Sequence, residues 1–423
     1  MRDCTGQPFE VEFRESQREV GGIRKHLLPY AVFLLFFVSA TPAFSGGKLE
    51  SSKTCRPCHL EIYLQWSSSR HASSFTEPFF RQTFLELARR GGGEEKVCLA
   101  CHSPAYTVSP EENLPLKDEG VTCDFCHTLN RITVEEGIPR FENTPGIKRG
   151  PIEEADSSYH RTAFSSLHLS SEFCGGCHDY VNAHGLRVLS TYTEWKESFY
   201  RGEGIHCQYC HLPELYEDRQ YKKHPSKERP PDHTMKGGHF ESQLRKSLTG
   251  RGEISFSRGE AVVRVTLRNE RSGHKIPTGI PTHRVVIDAV IFNERGVKIG
   301  EGEAYIERIL GDGKGNPLEN PADIFLRARE VLKDNRVGPK QSKTYTLKIP
   351  VKGSVEKARG VVTLFYELPS ADPNLKRVRV RFADISLEKQ VFHRTVLGLF
   401  FALLLIAVVL LAYDIALRIK KKG

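Results

Sequence analysis

Apolar and polar positions follow two regimes along the chain. Between about Arg251 and Leu387 they alternate with period two in AVVRVTLRN, THRVVIDAVIFN, KTYTLKIP, VVTLFYEL and KRVRVRFA, separated by turn-forming stretches such as NERG and GDGKGN. Because successive strand side chains face opposite sides of a sheet, this pattern predicts an antiparallel β-sandwich of about seven strands over residues 251–387. Between residues 46 and 245 the alternation disappears. There, LEIYLQWSSS and RQTFLELARR carry helical spacing, and the remainder reads as long loops.

Two unbroken apolar runs flank these regions. RKHLLPYAVFLLFFVSATPAFSGG has a basic start, an apolar stretch and small residues near Ala43 and Ser45, which predicts a secretory signal peptide within an N-terminal segment of residues 1–45. At the other end, Thr395 to Tyr413 is uncharged and mostly apolar, long enough at about 1.5 Å per residue to cross a hydrocarbon core of about 30 Å. A transmembrane helix over 394–417 is expected, with the basic tail 418–423 in the cytoplasm by the positive-inside rule. The body is then expected on the periplasmic side of the cytoplasmic membrane, held by a single span.

At 423 residues and 39% hydrophobic content, the chain has room for two or three ordinary globular domains. Its net charge of +9 does not point to nucleic acid. Much of the excess sits at the C-terminal end, in Arg394, Arg418, Lys420, Lys421 and Lys422 against Asp414, and the body shows no basic stripe interleaved with aromatics.

The cysteines change the picture. There are 11, and every one except Cys4 belongs to a C-x-x-C pair followed at once by histidine. The five units are Cys55/Cys58/His59, Cys98/Cys101/His102, Cys123/Cys126/His127, Cys174/Cys177/His178 and Cys207/Cys210/His211. Zinc sites usually draw histidines from a separate element, a disulfide framework needs no histidine, and thioredoxin-like pairs come singly on a βαβ unit. Covalent haem c accounts for all three residues: two thioethers to the porphyrin and a proximal imidazole to iron. Five haem c groups are therefore expected, with His59, His102, His127, His178 and His211 as proximal ligands. About forty residues per haem is too little chain for a conventional core, so the porphyrins themselves are expected to form the interior.

Sixth ligands decide between electron transfer and substrate chemistry. Outside the signatures and the two ends, enough histidines remain to fill five distal positions; after Met1, Met235 is the other methionine. His71 follows an aromatic-rich helical pattern, His160 and His168 stand upstream of the fourth signature, and His233 lies in DHTMKGGHF. His274, in the stiff loop SGHKIPTGIPTHR of the sandwich, is expected to reach a haem of the preceding domain. His206 directly precedes Cys207, which leaves it too constrained to serve another iron.

These residues resemble the multihaem cytochromes of the c-552/c-554 type, related to the haem core of hydroxylamine oxidoreductase. The resemblance is carried by CRPCHLEIYLQWSSSRHASS, CLACHSP, EGVTCDFCHT, SSEFCGGCHDYVN with TYTEWKESFY, and GIHCQYCHLP leading to DHTMKGG. GHKIPTG and DNRVGP resemble the β-sandwich appended in many such proteins, so coverage runs over about residues 48–385. The resemblance implies stacked, mostly bis-histidine haems and electron transfer, with His71 and His233 at ligand positions. No C-x-x-C-K unit of the nitrite-reducing kind is present.

The expected organisation is α+β and multidomain: a mainly helical and loop pentahaem domain over 46–245, the sandwich, and one C-terminal span. The expected function is electron relay between a membrane quinone-linked complex and a soluble periplasmic cytochrome or oxidoreductase. The alternative is an oxidoreductase acting on a small nitrogen or sulfur compound at one five-coordinate haem.

Overall fold

A computed structural model describes residues 48–135, 137–212, 231–257, 259–353, 358–372, 374–375, 377–389 and 404–412. The signal-peptide segment lies outside them.

The cytochrome region is built from short helices and small ribbons. Leu60–Ser67 and Pro78–Arg90 form helices where the apolar spacing predicted them. In the second, the Glu77 side chain caps the Phe80 N–H, Pro78 begins the helix, and Phe84 and Leu87 turn inward. The sequence pattern missed the strands here: the antiparallel pairs β1 (Leu129–Glu135) with β2 (Ile138–Asn143) and β5 (Tyr180–Val181) with β6 (Arg187–Leu189), and the parallel pair β3 (Ile147–Gly150) with β4 (Arg161–Phe164). Runs of two to seven residues are too short to show a period.

Beyond the helix Glu241–Ser247, one seven-stranded sheet takes over. Its strands are β7 (Thr249–Ser257), β8 (Glu260–Arg268), β9 (Arg284–Phe292), β10 (Lys298–Ile306), β13 (Ser342–Pro350), β14 (Arg359–Pro369) and β15 (Arg377–Lys389), in the order β10-β9-β14-β15-β7-β8-β13. A smaller ribbon of β11 (Arg308–Gly311) and β12 (Glu330–Asp334) intervenes in sequence. In β8 every second residue from Ala261 to Leu267 is buried, as its alternation requires. At the β9–β10 turn Asn293 Oδ1 accepts the N–H groups of Arg295 and Val297, and Gly296 takes φ +77°, a conformation that favours glycine.

One pairing departs from the antiparallel expectation. β15 runs antiparallel to β14 through Ser386, then its last three residues pair in parallel with Gly252–Ile254 of β7. β15, with 13 residues, overruns the 11 of β14, and the surplus carries hydrogen bonding across to the β7-β8-β13 half. At the far edges, β10 and β13 meet: a Cβ at Gly302 would lie 3.0 Å from Ile349. The sheet thus folds over a single core that includes Val263, Val265, Ile287, Ile291, Ile349, Val362, Leu364 and Phe382.

The two regions are joined by buried polar contacts. Glu194 Oε1 meets Arg336 Nη2 at 2.9 Å with both side chains about 5% exposed, while Glu194 Oε2 accepts the Lys275 N–H and the Thr278 hydroxyl. Tyr200 donates to Glu270 O at 2.6 Å, and Asn182 donates to Ala328 O at 2.8 Å.

Among the described residues no helix is long and apolar enough to cross a membrane. Of the C-terminal stretch 394–417, residues 404–412 are described; they are helical, with every side chain exposed.

Candidate haem-binding site

Each signature forms one turn of helix. The second lies in the helix Lys96–His102 and the third in Cys123–Thr128. In the other three, the histidine N–H donates to the first cysteine's carbonyl: His59 to Cys55 at 2.9 Å, His178 to Cys174 at 3.0 Å, His211 to Cys207 at 3.1 Å. A turn of helix brings positions i, i+3 and i+4 to one face, so the spacing C-x-x-C-H presents both thiols and the imidazole to a single flat partner.

The folded chain gathers the five turns. The thiols of Cys55 and Cys123 hydrogen-bond one another, which raises the pKa of the first and lowers that of the second. Cys174 is linked to Cys207 and Cys177 to Cys101 in the same way, and these hydrogen bonds together with burial hold Cys174 and Cys177 well above the ordinary thiol range. The first signature therefore neighbours the third, and the fourth neighbours both the second and the fifth.

Two of the ten signature cysteines depart from the expected arrangement of free thiols turned into a haem-filled interior. Cys58 is a free thiol but exposed to solvent, whereas Cys55 and the free thiols of the other four signatures are partly buried. The physical reason is its place between two short helices: Ser52–Cys55 ends three residues before it, Leu60–Ser67 starts two residues after it, and Leu60 and Leu64 of the second are themselves exposed. The first signature thus stands at the edge of the cytochrome region rather than in its interior. Cys210 is disulfide-bonded, which corrects the expectation that it offers a free thiol. A sulfur held in a disulfide has no thiolate to form a thioether, so haem attachment through Cys210 requires that bond to be reduced first. In the fifth signature Cys207 is the free thiol.

The imidazoles are oriented by the backbone. Nδ1 of His102 donates to Ser74 O, that of His127 to Arg149 O, that of His211 to Lys236 O and that of His233 to Pro231 O, each at 2.7 Å. His274 Nδ1 lies 3.0 Å from Lys275 O. A carbonyl only accepts, so in each ring Nδ1 carries the proton and Nε2 keeps its lone pair for a metal. Burial keeps these rings neutral: it lowers His178 to about 3 and His71, His211 and His233 to about 4, and it also depresses His102, His127 and His274.

Two imidazoles binding one metal from opposite sides, each through a nitrogen about 2 Å from it, have ring centres about 6.3 Å apart. His71 and His178 are separated by 6.2 Å, His127 and His233 by 6.3 Å, and His211 and His274 by 6.3 Å. Three signature histidines thus each face a non-signature histidine at the distance an iron would need. The two partners in each pair come from distant parts of the sequence, and His274 comes from the sheet region.

The remaining candidates stand differently. His168 lies parallel to His127 at 5.6 Å with its Nε2 3.1 Å from Cys126 O. Its Nδ1 and that of His160 are buried without a hydrogen-bond partner, two orphaned nitrogens in a site rich in ligand chemistry. No second imidazole lies at the 6.3 Å spacing from His59 or His102 among the described residues. His102 instead stacks on Phe80 at 3.6 Å. His206 accepts the Ser171 N–H at Nδ1, and Arg70 donates to Nδ1 of His239, so in both rings the proton sits on Nε2 and no ligand nitrogen is free.

Sequence reasoning missed the carbonyls that orient the rings, because any residue type supplies a backbone oxygen. It also missed the pair Glu194 and Arg336, although TYTEWKESFY and DNRVGP, which contain them, both stood out.

Apart from the disulfide at Cys210, the residues present fit covalent haem: cysteines and a neutral imidazole on one face of a turn, opposed imidazoles at iron spacing, and buried nitrogens without partners. Fold and signatures together define a multihaem cytochrome c of the c-552/c-554 type. Residues 54–128, which hold the first three signatures, match the family described as "Cytochrome c554 and c-prime". The structure is similar to that of a penta-heme cytochrome c552 from Thermochromatium tepidum, with a TM-score of 0.59 and 22% identity over 80% of this chain and 98% of that one. A second structure, Northeast Structural Genomics Consortium target SoR45, aligns with a TM-score of 0.16 and 10% identity over 34% of this chain and 84% of that one, and carries no argument. No curated protein matches by sequence. Covalently bound haem c and, in general terms, electron transfer follow from this class.

Proposed function

We propose that the chain is a membrane-anchored pentahaem cytochrome that relays electrons on the periplasmic side of the cytoplasmic membrane. The observation that carries this reading is the set of three opposed histidine pairs at 6.2 to 6.3 Å, which suits six-coordinate iron rather than open iron. Bound haem supplies a one-electron ferric/ferrous couple at each signature. The chain's own residues do the rest: thiols anchor, with Cys210 joining them once reduced, imidazoles hold iron from both faces, carbonyls fix the ring tautomers, and burial keeps water from the ligands. His160 and His168, with their orphaned nitrogens, are the candidates for the iron positions still without a partner.

Anchoring is supported by residues 404–412, where Leu405, Leu410 and Leu411 are each more than 60% exposed. An apolar helix exposed on all sides suits lipid better than water. The partners proposed are a membrane quinone-linked complex and a soluble periplasmic cytochrome or oxidoreductase.

A second reading, an oxidoreductase acting on a small nitrogen or sulfur compound at one five-coordinate haem, is favoured by His102, whose ring meets Phe80 rather than a second imidazole. EPR of the oxidised holoprotein separates the two readings. Five low-spin ferric signals support the relay; a high-spin signal that responds to added nitrite, hydroxylamine or sulfite contradicts it and supports the oxidoreductase.

A further inference from the structure

The segment from Pro231 to His239 acts as a strap across the site. Its Pro231 carbonyl orients His233, its Lys236 carbonyl orients His211, and the Asp232–Lys236 ion pair at 2.9 Å closes it on itself. Gln65 ties it to the helix after the first signature by accepting the His233 N–H. Between these anchors Met235 takes φ +47°, a left-handed conformation that a side chain of its kind rarely adopts and that persists where surrounding contacts impose it. Its thioether lies directly against Nδ1 of His71.

That contact sets His71 apart. The other opposed imidazoles from His127, His233, His211 and His274 each direct Nδ1 at a backbone carbonyl. A carbonyl acceptor draws on the ring proton and makes the opposite nitrogen a stronger donor to metal. A thioether sulfur is a weak acceptor, so the His71 ring gains less basicity and gives less electron density to an iron. Weaker donation favours ferrous over ferric iron, and hydrogen bonding and burial are the protein's main controls on haem potential. The His71 and His178 rings are also central, with His178 close to His71, His211, His274 and His102.

We propose that Met235, as the acceptor for the His71 N–H, is a positioning residue that gives the iron held between His178 and His71 the highest potential of the five, so that electrons collect there first. This rests on the reading that His71 and His178 share one haem, and its test checks that reading separately.

The experiment is a potentiometric titration of the holoprotein followed by EPR, on the wild type and on Met235→Gln, Met235→Leu and His71→Ala. Loss of one low-spin signal in His71→Ala identifies the iron concerned; if none is lost, both the shared haem and the proposal fail. In the wild type that iron should reduce first. Met235→Gln, whose amide oxygen is a strong acceptor, should move it to a lower potential and leave the other four in place. Met235→Leu, which offers no acceptor, should leave it first in the order. A titration in which this iron is not the first to reduce, or in which Met235→Gln moves no iron or all five alike, overturns the proposal while leaving the histidine pairing standing.

Discussion

The sheet region and the cytochrome region solve the problem of an interior in opposite ways. Strands β7 to β10 and β13 to β15 bury one continuous set of aliphatic and aromatic side chains, with Val263, Val265, Ile287 and Ile291 fully enclosed. The cytochrome region instead holds small separate clusters, such as Leu49 with Ala105, Leu116 and Phe125, or Phe75 with Phe84 and Leu99. Between them lie thiols and neutral imidazoles whose burial costs free energy unless a metal or hydrogen bond compensates it. The first region holds itself together by hydrophobic burial; the second is shaped around groups it must acquire.

The sharpest way to break this comparison is to withhold haem. Chain exported without haem attachment should lose protease protection over residues 48–245 while a fragment close to 249–389 survives digestion; equal protection of both halves would remove the distinction. Next in size is the buried bridge between the regions. Arg336→Met leaves Glu194 buried without its partner and should cost about 3–5 kcal/mol in denaturant unfolding. Ile287→Ala, inside the sheet core, should cost about 3 kcal/mol by opening a cavity, with the haem EPR signals unchanged; altered haem signals would show that the two interiors are one.

Acid should act through Asp334. Burial disfavours its carboxylate, but hydrogen bonds and charge from Arg336 and Lys275 outweigh that and hold it well below the ordinary carboxylate range. Because the folded-state pKa is depressed, the stabilisation is present above about pH 4 and is lost as pH falls below it; Asp334→Asn should flatten the fall in unfolding free energy between about pH 4 and 2. The smallest effect is expected on the sheet surface, where Arg381→Ala removes an exposed pair with Asp384 and should change stability by no more than about 0.5 kcal/mol.

The two regions were also unequally legible in the sequence. Strands such as β8, β9, β13 and β14 announce themselves because one buried face imposes period two on their residues. β7 and β10 are interrupted by Gly250, Gly252, Gly300 and Gly302, where close packing against Leu267, Leu387 and Ile349 leaves no room for a side chain, and they broke the pattern. In the cytochrome region the signatures were legible because thioether and imidazole chemistry demands those residue types on one helical turn. Their identical spacing hid the differences between them, since a motif records neither how deeply Cys58 is packed nor that the Cys210 sulfur is disulfide-bonded. Which histidine faces which was hidden too, since the pairs His71 with His178 and His211 with His274 join positions far apart in sequence. Nor could residue identities reveal that Ser74, Arg149 and Lys236 act through their carbonyl oxygens, or that Met235 meets His71.

The central claim is that five porphyrins are covalently anchored between residues 48 and 245. The intact mass of the purified, matured protein tests it most directly. The account predicts the mass of the processed polypeptide plus five haems, retained after denaturation because the thioether bonds are covalent. A colourless sample at the bare polypeptide mass would contradict it.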